Sequence, residues 1–291
     1  MLDCFLARCH APQRTATHTV VPRGERIVSD VSSVIDDLGR EGEELDRLVA
    51  ESGEERWALA TPAPGWTVAH QIAHLAWTDR AALVAVTRPE AFAAEVEKAL
   101  RSPGTWVDEA AREGAALPPA RLLAEWRESR AALDRALREA PPGVRHPWFG
   151  PPMSTASMAT ARLMETWAHG LDVAETLGVP PTPSDRLRHI ARLGFRTRDF
   201  AYAVHELPAP AEPFRVELVG PSGEVWTYGP DDAAQRVTGP ALDFCLLVTQ
   251  RAHRDDLGLR AEGPDADRWL DIAQAFAGPP GAGRPPKGAT A

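Results

Sequence analysis

Two short segments carry the side chains from which chemistry could be built: GWTVAHQIAHLAW, with His70 and His74, and METWAHGLDVAE, with Glu165, His169 and Asp172. Within each, the polar groups stand four or seven residues apart, the spacing that stacks side chains on one face of an α-helix. If the two faces meet, histidine nitrogens and a glutamate oxygen converge in an interior. Bundle cores build metal sites in this way, from side chains projecting inward off facing helices. Three protein ligands leave a coordination position open, as in catalytic sites. Imidazole and carboxylate together suit Zn²⁺, Fe²⁺, Ni²⁺ or Mn²⁺. A zinc-protease helix would need glutamate directly after its first histidine. Gln71 stands there, and that chemistry is excluded. Taken singly, each segment also reads as a solvated Glu/His pair or an incidental histidine pair; it is their joint presence on otherwise apolar helices that points to a metal. Asp172, one turn beyond His169, is placed to orient it as a carboxylate behind the ligand, or to solvate the helix.

Both segments sit on strongly helical patterns. Val31, Val34, Ile35, Leu38, Leu45, Leu48 and Val49 recur at helical spacing behind Ser29 or Asp30 as a cap. After the TPAPGW turn, Thr67 opens a second helix with Val68, Ile72, Leu75 and Leu83 inward. Shorter helical pieces fill residues 88–117, and a longer helix runs from the proline pair of LPPARLLAEW to about Ala140. The segment with Glu165 and His169 starts near Ser154 or Thr155 and ends at Gly178. Four main helices over residues 28–180 make a helical bundle.

Beyond residue 180 the pattern changes. A helix around 184–206 precedes FRVELVGPSGEVWTYG, two alternating runs flanking Gly-Pro-Ser-Gly, a hairpin with a four-residue loop. TGPALDFCLLVTQRA and DADRWLDIAQAFA both read as helices, so residues 181–277 form a small α+β domain. Residues 1–27 read as a flexible extension, and the Gly/Pro-rich stretch 278–291 as a disordered tail.

Composition narrows the function. The formal net charge of −9 and the absence of a Lys/Arg cluster argue against nucleic-acid binding. No apolar run approaches the length of a membrane span, and the N-terminal residues lack the apolar core of a secretory signal, so a cytoplasmic protein is expected. Three cysteines, Cys4, Cys9 and Cys245, are too few and too scattered for a disulfide framework. Cys245 reads as a buried thiol in an apolar run, and Cys4 with Cys9 and His10 makes a poor metal site at a chain end. Trp66, Trp77, Trp148 and Trp167 could line a pocket mouth or fill the core. A small-molecule substrate and a monomer or homodimer are expected.

The same two segments, GWTVAHQIAHLAW and METWAHGLDVAETLG, resemble the two metal motifs of the mycothiol-dependent maleylpyruvate isomerase N-terminal domain family, a branch of the DinB-like metal-binding bundles. The similarity covers about residues 30–180, and the chain as a whole, including TGPALDFCLLVTQR, is similar to an uncharacterised actinobacterial subfamily described as metal-binding. The resemblance implies a mainly α protein, a DinB-like four-helix bundle followed by a small α+β domain. It implies His74, Glu165 and His169 as ligands of a divalent metal, zinc foremost, with His70 a neighbour. It also implies a low-molecular-weight thiol such as mycothiol as co-reactant, in a thiol-dependent isomerase or S-transferase. A metal can lower a bound thiol's pKa and polarise a substrate oxygen, and no protein cysteine is then required. Arg236 and Arg251 flank VTGPALDFCLLVTQ and could clamp an anionic substrate or the thiol; as exposed arginines at helix ends they would do neither. A non-catalytic metal- or ligand-binding protein and a metal-dependent hydrolase, with Asp172 as its base, are the other readings.

Overall fold

The computed structural model describes residues 31–101 and 104–288. The extension 1–27 and the caps expected at Ser29 and Asp30 lie outside the described residues, as do Cys4 and Cys9. Two compact units are formed, one by the chain up to Glu43 with Ala69–Ala159, the other by Glu44–Val68 with Thr160–Ala291. No helix among the described residues is long and apolar enough to cross a membrane.

In the first unit, α1 (Val31–Ala50) begins and α2 (Val68–Thr87), α3 (Phe92–Arg101), α4 (Trp106–Ala115) and α5 (Pro119–Glu139) follow. Helix α2 is buried on most of its circumference, with Ile72, Ala73, Leu75, Ala76, Ala82 and Ala85 at 1% exposure or less. Its alanines let neighbours approach closely; a Cβ on Gly114 of α4 would sit 2.7 Å from the Ala73 Cβ. Leu83, expected inward, is half-buried. Helix α5 starts with Pro119 in its first turn, where the missing N–H is no loss. It buries Leu122, Trp126, Leu133 and Leu137 on one stripe. A two-stranded ribbon, β1 (Arg145–His146) with β2 (Met153–Ser154), then delivers the chain into α6 (Thr155–Leu177).

Helix α6 has well-defined ends. The Ser154 hydroxyl accepts from the Ser157 N–H at 3.2 Å, satisfying one of the open donors of the first turn. At the far end Gly178 adopts φ 69°, while Val179 N–H donates to the Ala174 carbonyl and Gly178 N–H to that of Glu175. This paired closure is the usual reason for glycine after a last helical turn.

The second unit holds the rest of α6, then α7 (Leu187–Arg196) and α8 (Arg198–Val204). The single helix expected over 184–206 is broken at Thr197, whose hydroxyl bonds back to the Gly194 carbonyl at 3.1 Å. A four-stranded sheet follows in the order β4-β3-β5-β6, built from β3 (Phe214–Val219), β4 (Val225–Tyr228), β5 (Gln235–Pro240) and β6 (Arg260–Glu262). β3 and β4 form the expected hairpin, but Val219 pairs with Val225, so the loop is 220–224 rather than four residues. β5 runs parallel to β3, and it claims the Thr-Gly-Pro that was expected to open a helix; α9 is confined to Ala241–Val248. Phe214, Val216 and Leu218 face inward. The Trp269 ring of α10 (Pro264–Ile272) meets Phe214 and Phe244 edge-on at 5.6 and 5.7 Å. Gly194 brings α7 against α9, since a Cβ there would lie 2.9 Å from Val248.

Candidate metal centre

The site begins with α6. Glu165 and His169 stand one turn apart, and the His169 Nε2 lies 3.2 Å from a Glu165 carboxylate oxygen. Both side chains are partly buried, 13% exposed for His169 and 23% for Glu165. The apolar neighbours Leu163, Met164, Trp167 and Ala168 are buried and fix the rotation of the helix. On α2, His74 is buried between Ala73 and Leu75 for the same reason. His74 belongs to the first unit, Glu165 and His169 to the second. A tetrahedral ion with metal–ligand bonds of about 2.0–2.1 Å sets its donors roughly 3.4 Å apart. The 3.2 Å Glu165–His169 spacing fits that edge, and an imidazole nitrogen beside a carboxylate oxygen suits a divalent metal.

Each histidine also has an aromatic neighbour. The Trp66 ring stacks on His169 at 5.8 Å and 18°, and Trp77 is tilted against His74 at 5.7 Å. Trp77 continues into a cluster with Trp106 and Phe149, and Trp148 joins it through Phe149 and Phe92. Trp167 is core, 7% exposed. His70 stands one turn before His74 on α2. Burial, helped by the Arg112 guanidinium and opposed by Asp108, holds its pKa below the usual imidazole value.

Asp172 is 2% exposed and binds guanidinium groups. One carboxylate oxygen accepts from Arg251 at 2.9 Å and the other from Arg284 at 2.6 Å. Arg251 also donates to the carbonyls of Ala168 at 3.2 Å and Thr249 at 2.8 Å. It is thereby fastened to α6 at the residue before His169, and its anion is one of the chain's own. Arg236, the other arginine expected as a clamp, lies on β5 and donates to Glu217 of β3 at 2.7 Å and to the Asp231 carbonyl. It belongs to a cross-strand charge pair. The residue that sequence reasoning missed is Arg284. It sits in the stretch expected to be disordered, where its signal is slight, one of two cations in a Gly/Pro run.

Residues 38–174 match the model of the mycothiol maleylpyruvate isomerase N-terminal domain. Residues 210–261, the sheet with α9, match a model described as wyosine base formation. Two uncharacterized proteins from strains of Mycobacterium tuberculosis are each 59% identical over 257 residues, covering 88% of this chain and 100% of theirs. Among solved structures, a crystal structure of the mycothiol-dependent maleylpyruvate isomerase superposes with a TM-score of 0.54 at 19% identity, over 81% of this chain and 95% of that one. A histidine-to-alanine mutant of that enzyme gives 0.53. The likeness to these two is one of fold, and it makes the chain mainly α, a DinB-like four-helix bundle followed by a small α+β part.

Proposed function

We propose that this chain, which belongs to the mycothiol maleylpyruvate isomerase N-terminal domain family, is a divalent-metal enzyme that uses a low-molecular-weight thiol, mycothiol or one like it, for transfer to or isomerisation of a small organic substrate. The observation that carries this reading is the Glu165–His169 pair, a carboxylate oxygen and an imidazole nitrogen 3.2 Å apart on one helix face, to which His74 is proposed as the third ligand. A divalent metal held there, zinc foremost, would lower the pKa of a bound thiol and polarise a substrate oxygen. His74 supplies a nitrogen from a buried helix face, and Glu165 supplies the one negative charge of the set. Trp66 covers one face of the His169 ring and keeps water from it. Among the described residues the one thiol is unsuited to the nucleophile's role. Cys245, the one free cysteine among the described residues, is buried, and burial pushes its thiol pKa well up. A buried neutral thiol is inert, which supports an external thiol.

The test is metal analysis of the purified protein and of His74→Ala and Glu165→Ala, followed by thiol consumption with an electrophilic acceptor. Bound metal in the native chain, its loss in both variants, and acceptor conversion that needs both metal and thiol are expected. Normal metal content in both variants would sink the site. Metal without any thiol effect would leave a metal-binding protein and overturn the enzyme.

A further inference from the structure

Helix α6 presents two stripes. Glu165, His169 and Asp172 share one; Leu171, Ala174, Glu175 and Gly178 share another, turned from it by roughly 140° at 3.6 residues per turn. Against the second stripe lies a cavity of about 400 Å³. Leu171, Ala174, Val179 and Leu246 give it apolar walls, and Arg251 and Arg284 stand at its edge. That volume falls in the range of small-molecule sites.

The two arginines are held differently. Arg251 is tied down by two backbone carbonyls besides Asp172. Arg284 comes from the C-terminal segment and bridges two carboxylates, Asp172 through Nη2 and Glu175 through Nη1, each at 2.6 Å. Asp172 is 2% exposed in its side chain, whereas Glu175 is 58% exposed. Ion pairs to an exposed carboxylate are weak, because water competes for both partners. Arg284 therefore has one fixed anion and one exchangeable anion, and the exchangeable one borders the apolar cavity.

We infer that this cavity binds a small monocarboxylate with an apolar body, whose carboxylate takes the place of Glu175 on Arg284 Nη1 while the body lies against Leu171, Val179 and Leu246. A neutral analogue gains only the walls. A dianion carries its second charge along the body, into apolar walls that offer it no partner. The site uses neither His74 nor the Glu165–His169 pair, and it stands apart from the metal reading.

The experiment is calorimetric titration of the full chain with hexanoate, hexan-1-ol and glutarate, repeated on His74→Ala so that the outcome does not depend on the metal. Hexanoate is expected to bind in preference to the other two. Glu175→Gln removes the competing anion and should tighten hexanoate about two- to fivefold. Arg284→Gln removes a charge-assisted bond and should weaken it about tenfold or more. Glu175 is at the surface end of the bridge, and in Arg284→Gln the buried Asp172 keeps Arg251; a melting curve of each variant checks that it is folded. Binding of hexan-1-ol equal to that of hexanoate, an unchanged or weaker affinity in Glu175→Gln, or no hexanoate binding at all would overturn the inference.

Discussion

Replacing Asp172 by asparagine separates two roles for a buried carboxylate beside a metal-ligand helix. The side chain is 2% exposed and serves Arg251 and Arg284, whose side chains are 17% and 23% exposed. Removing one partner of a fully buried ion pair costs about 3–5 kcal/mol. Here the loss is smaller, because Arg251 keeps the Ala168 and Thr249 carbonyls and Arg284 keeps Glu175. Asparagine also retains one acceptor, and water reaches both guanidinium groups. About 2–3 kcal/mol is expected, a fall in melting temperature of roughly 4–12 °C for a chain of this size. Urea unfolding followed by circular dichroism, with metal analysis of the same preparation, reads both quantities. Arg284→Ala leaves Arg251 on Asp172 and should cost less, about 1–2 kcal/mol. If Asp172 acts through the arginines, Asp172→Asn is destabilised and keeps its metal. A variant with native stability and a lost metal would refute that reasoning, since an orienting carboxylate behind a ligand is worth about 10–100-fold in metal affinity.

Three further outcomes are expected. His146 is 2% exposed and 3.0 Å from the Thr155 hydroxyl, and burial holds its pKa below the usual 6.5. The unfolded chain therefore takes up the proton first; the stability tied to this group is complete above the unfolded value and is lost as pH falls through it toward the folded one. His146→Gln should flatten the loss between pH 7.5 and pH 5, roughly the imidazole range, and an identical slope in native and variant unfolding would count against this. Gly229 and Gly223 both have positive φ, 84° and 88°, but a Cβ on Gly229 would press on the Phe214 carbonyl oxygen at 1.9 Å while Gly223 faces open space. Gly223→Ala should cost roughly 1–2 kcal/mol from backbone strain alone and Gly229→Ala clearly more, as compared by urea midpoints; equal midpoints would contradict the close approach. Cys245 should resist alkylation in the native protein, as followed by peptide mass spectrometry, and react once urea unfolds the chain.

The helices of residues 31–177 were legible because their apolar residues keep one period and their ends carry local punctuation, Pro119 at one start and Gly178 at one finish. The spacing of Glu165 and His169 foretold their contact for the same reason: four residues on a helix is a distance. What a period cannot encode is pairing between distant segments. The second half of β5, residues 238–240, was hidden in a stretch read as helix, and its first half had no reading, because these residues become strand only beside β3. The break at Thr197 depends on one hydroxyl bond. Spacing could not choose between His70 and His74, since both share a helix, and it was the resemblance that implied His74. Arg284 was the least readable of all. Composition marks its segment as flexible, and the acids that hold it, Asp172 and Glu175, are more than a hundred residues away in the chain.

The fastening of that last segment has a practical consequence. Between Gly278 and Lys287 most side chains are exposed, and the anchors are the Arg284 bridge and the Lys287 N–H on the Asp256 carboxylate. Little apolar surface holds it down. Attraction between exposed groups fades once the ionic atmosphere shrinks to about 3 Å, near 1 M salt, whereas a buried pair is screened much less. Strong electrolyte thus loosens the exposed Glu175 half of the Arg284 bridge and leaves the Asp172 half, and with it the end of the chain, fastened.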